Sequence, residues 1–121
     1  MYGTRSGLDR ETALRVAGAF GAGMARIGET CGCVTGALMV IGLNYAKVHK
    51  DDNDSRERAC ALAQEFMDSF RDRNGSLVCR ELLGVDVSTP EGILQVREKD
   101  LFRTVCPKFV KSSAEILEVL L

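Results

Sequence analysis

The sequence predicts an all-α fold, a compact bundle of five or six helices in a single domain over residues 1–121. Three observations predict it. Strand-like alternation is scarce, whereas apolar residues recur at the three-four spacing of a helix face. Only two prolines occur, and both suit the start of a helix. Several segments open on a capping residue and close on glycine.

The elements follow in order. "LDRETALRVAGAF" has Asp9 as N-cap and Glu11 in the first turn, and its helix is expected to end near Phe20. "GAFGAGMARIG" is too rich in glycine for a helix interior. A second helix is expected from Glu29 or Thr30 to about His49. Gly28, Gly32 and Gly36 recur there at a spacing of four and would share one face, a groove for a tight crossing with another helix. "DSRERACALAQEFMDSFRDRNG" is amphipathic, with Ala59, Leu62, Phe66 and Phe70 on its core face and Gly75 as its C-terminal cap. "LVCRELLG" reads as a short helix closed by Gly84. "VDVSTPEGILQVREKD" starts a helix at Thr89 and Pro90. "VCPKFVKSSAEILEVLL" does the same at Cys106 and Pro107, with Phe109, Val110, Ala114, Leu117 and Leu121 as its expected buried stripe.

Composition narrows the function. A chain of 121 residues buries roughly two thirds of its unfolded surface and needs no metal or disulfide merely to fold. The net charge is −1 and there is no Trp, so neither a basic face nor a stacking platform points to nucleic acid. The longest apolar run, Val34 to Leu43, is about half of what a membrane-spanning helix needs. The N-terminus has no apolar signal core, which predicts a cytoplasmic protein. In a reducing cytosol, five cysteines are expected to be free thiols, metal ligands or catalytic residues rather than structural disulfides.

Three cysteines share a setting. Cys31, Cys79 and Cys106 fall at expected helix starts, where unpaired N–H groups and the positive dipole end stabilise a thiolate. Arg80 and Lys108 would add to this if they pointed inward. Cys106 is the strongest case on local sequence, since Pro107 fixes the helix start beside it. Cys31 and Cys33 can act together only if the chain between them is still pre-helical, because helical residues two apart face away from each other. Cys60 sits mid-helix and reads as a packing residue. His49 reads as a cation at a helix C-terminus. Gly21-x-Gly23 has no strand before it, which removes the nucleotide-loop reading. Arg26 is a candidate anion or cofactor contact, or a partner of Glu29.

"FGAGMARIGETCGCVTGALMVIGL", "CRELLG" and "CPKF" together resemble the C_GCAxxC family of redox-active proteins, over about Leu8 to Leu120. The matching positions include Gly21, Gly23, Met24, Arg26, Gly28, Glu29, Cys31, Gly32, Gly36 and Ala37, then Cys79 to Gly84, then Cys106 and Pro107. The resemblance implies a small helical protein, mostly prokaryotic, with redox or metal chemistry. Two departures stand out: no cysteine precedes Cys31, and Cys33 stands where a small residue such as Ala is expected. A four-cysteine site is then one short unless Cys33 or Cys60 completes it.

The expected function is therefore thiol-based redox chemistry or metal binding, with a thiol-dependent oxidoreductase as the enzymatic form. Cys31, Cys79 and Cys106 are its candidate catalytic residues. Cys31, Cys33, Cys79 and Cys106 are the candidate ligands of zinc or an iron–sulfur cluster. The alternative is a non-enzymatic helical interaction module, a homodimer whose cysteines only pack. The expected partners are a second copy or a redox partner protein, with no nucleic acid and no membrane.

Overall fold

A computed structural model describes residues 7–46 and 53–121. The fold is all-α, as the sequence predicts. The helices are α1 (Arg10–Ala17), α2 (Gly32–Tyr45), α3 (Asn53–Asn74), α4 (Cys79–Leu83), α5 (Pro90–Lys99) and α6 (Cys106–Leu120), with a one-turn segment, Leu101–Thr104, leading into α6. No helix among the described residues is long and apolar enough to cross a membrane. The expected role of His49 lies outside the described residues.

Local sequence explains most boundaries. Asp9 caps α1 by accepting from the Thr12 amide at 2.8 Å, although α1 stops at Ala17, three residues before the expected end. Thr89 caps α5, accepting from the Gly92 amide at 3.0 Å with Pro90 in the first turn. Gly84 closes α4 in the left-handed conformation, φ 72°.

The main core lies between α2, α3 and α6. Val34, Ile41, Phe66, Phe70 and Phe109 are buried there. Phe66 and Phe70 stack at 5.9 Å, and Phe70 meets Phe109 at 6.3 Å. Ala59 and Leu62 pack against this core, as the amphipathic pattern predicts. The buried stripe of α6 is rotated from the expected one: Ser112, Ser113 and Ile116 are buried beside Phe109 and Leu117, whereas Val110 is 58% exposed. The two serines tolerate burial because both are hydrogen-bonded. Asn74 Nδ2 donates to Ser112 Oγ at 3.0 Å, and Ser113 Oγ donates to the Cys33 carbonyl at 2.9 Å.

The glycine groove is a second correction. Helix α2 starts only at Gly32, so Gly28 lies outside it. A Cβ at Gly36 would meet nothing within 4 Å, so no helix among the described residues crosses there.

The glycine-rich run before α2 holds the largest surprise. Ala22, Gly23, Met24, Ala25 and Arg26 all have φ between 51° and 75°, a left-handed turn of five consecutive residues. Each non-glycine residue in that region costs about 1–2 kcal/mol. Its backbone is tied internally, with the Gly28 amide bonded to the Ala22 carbonyl at 3.1 Å and the Glu29 amide to the Gly23 carbonyl at 2.8 Å. The turn delivers the chain to Glu29–Cys31, which runs antiparallel to Leu77–Arg80. There the Cys31 amide bonds to the Leu77 carbonyl at 2.9 Å, and the Arg80 amide to the Gly28 carbonyl at 3.1 Å.

Candidate functional site

Residue 31 is extended, not helical, with φ −59° and ψ 138°, and it is the N-cap of α2. Cys33 stands in the first turn. The pre-helical condition for Cys31 and Cys33 to act together is therefore met. The thiol of Cys33 hydrogen-bonds to the sulfur of Cys31, which holds the Cys31 thiol well below its ordinary value, at about 6. Burial works against this, and the backbone N–H groups of Cys33 and Val34 at the helix start assist it. The same contact pushes Cys33 upward, together with burial and the negative charge on Cys31. One thiolate and one thiol thus share a single proton.

Cys79 is buried, and Cys31 is tied to its segment by the short antiparallel pairing. Burial first, then the charges of Cys31 and Cys106, raise the Cys79 thiol to about 11. Burial first, then the charge of Cys31, also raises Cys106. Cys106 is the first residue of α6, so its place at a helix start is as expected but the lowered thiol is not. The expected cationic help is missing too. Arg80 pairs with Glu29 at 3.0 Å, and the Lys108 ammonium sits 5.3 Å from the Phe109 ring centre. Glu29 therefore takes Arg80, not Arg26, as its partner.

Cys31, Cys33, Cys79 and Cys106 border one cavity of about 510 Å³. The first three expected positions are brought together as the sequence suggests, Cys33 joins them, and the exposed Cys60 stands apart. Arg26 belongs to the left-handed turn and does not line the cavity. The walls are largely apolar, from Val40, Phe102, Val110 and Leu117. Gly23 and Gly36 leave bare backbone in the wall, and Arg10 is the cation at its edge. A Cβ on Gly23 would lie 2.6 Å from Cys79 Cβ, so only glycine lets the left-handed turn reach the cysteine. Sequence reasoning missed Gly23 as a site residue; its signal was a glycine dense run leading directly to Cys31.

Among the described residues, no three His, Cys, Asp or Glu side chains form a group placed to hold a metal ion. The four cysteines share a cavity without forming the donor set that zinc or an iron–sulfur cluster needs.

No curated protein and no solved structure matches the chain. A family model does match, over residues 1–120, under the description "Putative redox-active protein (C_GCAxxG_C_C)". With a match over nearly its whole length, the chain belongs to the C_GCAxxG_C_C family.

Proposed function

We propose that the protein is a thiol–disulfide redox protein in which Cys31 is the attacking sulfur and Cys33 the resolving one. The contact between the two sulfurs, with Cys31 held as thiolate, carries this reading. The Cys31 thiolate attacks one sulfur of a partner disulfide. The partner's other sulfur leaves as a thiolate and takes the proton of Cys33. Once Cys31 is in the mixed disulfide its charge is gone, and with it the two effects of Cys31 that kept Cys33 protonated. The Cys33 thiolate then attacks the Cys31 sulfur and releases the partner's second thiolate. One protein thiolate and one thiol become a disulfide, and the partner disulfide becomes one thiol and one thiolate. Free thiols at all five cysteines suit a reducing, cytoplasmic setting.

The test is peptide mapping after titrating the reduced protein with a small disulfide. A bridge between Cys31 and Cys33 is expected, Cys31→Ser should abolish it, and Cys33→Ser should trap the mixed disulfide. A Cys31→Ser protein that consumes the disulfide as fast as the parent would remove the reading.

A second reading has its own support. Leu14 (57% exposed) and Val110 (58% exposed) stand at the cavity edge, which suits a helical interaction module that pairs as a homodimer. It predicts concentration-dependent size on gel filtration and thiols no more reactive than a model peptide.

A further inference from the structure

Building on the redox reading, we infer that the cysteine-bordered cavity binds an apolar quinone, which oxidises the Cys31–Cys33 dithiol to a disulfide and leaves as the hydroquinone. The volume, about 510 Å³, lies within the range of small-molecule sites. The wall chemistry selects the occupant. A disulfide needs only to reach the Cys31 sulfur, whereas an occupant of the whole cavity lies against Val40, Phe102 and Leu117, which favour an apolar ring over amides. A flat apolar ring loses nothing there, and the bare backbone at Gly36, where a Cβ would meet nothing within 4 Å, leaves room for one.

The occupant must also accept two electrons from a dithiol. A quinone does so with its own ring, and its oxygens carry the charge that develops. Arg10, at the cavity edge, is placed to meet that charge. The balance closes without another reactant. The Cys31 thiolate adds to the quinone, and the Cys33 sulfur attacks Cys31 and breaks the bond to the ring. The electron pair stays on the ring as hydroquinone, which takes the Cys33 proton and, from water, the one that Cys31 had released. Two thiols and one quinone give one disulfide and one hydroquinone.

The test uses reduced protein under anaerobic conditions in a Cys60→Ser background, since Cys60 is exposed and outside the cavity. The probe is tetramethyl-benzoquinone, which has no ring hydrogen and so cannot trap a thiol as a stable thioether. Oxidised glutathione, charged and amide-rich, is run beside it. One hydroquinone should form for every two thiols lost. Gly36→Leu fills the cavity at a position where a Cβ meets no neighbour within 4 Å, and it should slow the quinone reaction at least tenfold with a much smaller effect on the glutathione reaction. If Gly36→Leu does not fold, Val110→Glu on the exposed rim gives the same comparison. If glutathione disulfide oxidises the protein and the quinone does not, the inference fails and the redox reading stands. If neither reacts, both fail. If the cavity-filling variant leaves the quinone rate unchanged, or lowers it no more than the glutathione rate, the inference is overturned.

Discussion

Two helix starts in this protein carry a cysteine, and the two thiols behave in opposite ways. Cys31 precedes the 14-residue α2 and is held near 6. Cys106 opens the 15-residue α6 and is raised. The helices are almost equally long, so their dipoles are comparable and cannot explain the difference. The partner explains it. Cys31 is extended at the N-cap and meets the Cys33 thiol, whereas Cys106 meets burial and the charge of Cys31. A helix N-terminus helps a thiolate, but here a hydrogen-bond donor two residues away decides which thiol ionises first.

The largest effect should come from breaking the support under Cys31. Gly23→Ala would force a Cβ to within 2.7 Å of the Glu29 amide and 2.6 Å of Cys79 Cβ, at a residue with φ +75°. Strain and overpacking together should cost about 3–5 kcal/mol. For a chain of this size the Tm should fall by more than about 10 °C. An unchanged melting curve would show that the left-handed turn does not hold the Cys31 segment in place.

Removing the donor tests the comparison itself. Cys33→Ala should return Cys31 toward an ordinary thiol near 8.5. At pH 6 its thiolate fraction would then fall by about 150-fold, while its intrinsic nucleophilicity would rise by about tenfold. The net expectation is alkylation of Cys31 slowed by roughly tenfold at pH 6, read by mass spectrometry. Equal rates in parent and variant would return the credit to the helix dipole.

How much of this was legible beforehand follows from how local each cause is. Asp9, Thr89, Pro90 and Gly84 act within one turn, and the sequence placed their helix ends correctly to within a few residues. Phe66 and Phe70 were visible by their spacing. The rotated face of α6 was not, because Ser112 and Ser113 are buried by bonds to Asn74 and Cys33, which are distant in sequence. The left-handed turn was hidden for a similar reason. Ala22, Met24, Ala25 and Arg26 have no intrinsic preference for positive φ, and the cost is borne by backbone bonds and by the contact of Gly23 with Cys79. The gathering of Cys31, Cys79 and Cys106 was anticipated. The ranking among them was not, since it depends on the extended backbone at Cys31.

Stability should record the same ranking as a function of pH, in reducing buffer. Cys31 is lowered in the folded state, so the unfolded chain binds more protons there between about pH 6 and the ordinary thiol value. Stability should rise with pH across that window and be lost as pH falls through 6. Above it the sign reverses, because Cys33, Cys79 and Cys106 are raised and the folded chain then holds the extra protons. The urea midpoint should therefore peak between about pH 8 and 9. A midpoint that rises steadily to pH 10 would contradict the raised thiols.

The smallest expected effect belongs to Cys106 itself. Helix-dipole reasoning makes Cys106 a second reactive thiol, so that Cys106→Ser would remove a labelled site at pH 6. The partner argument gives another outcome. Cys106 is raised by burial and by Cys31, and it does not figure among the causes that lower Cys31. Cys106→Ser should then change neither the number of sites alkylated at pH 6 nor the rate at Cys31 beyond about twofold. What it should change is Cys79, where the charge of Cys106 is one of three causes holding the thiol near 11. Without it, Cys79 should begin to react at slightly lower pH, though burial, the first of those causes, still keeps it slow. Labelling of Cys106 at pH 6 as fast as Cys31 would reverse the comparison and make the helix start, not the neighbouring thiol, the source of reactivity.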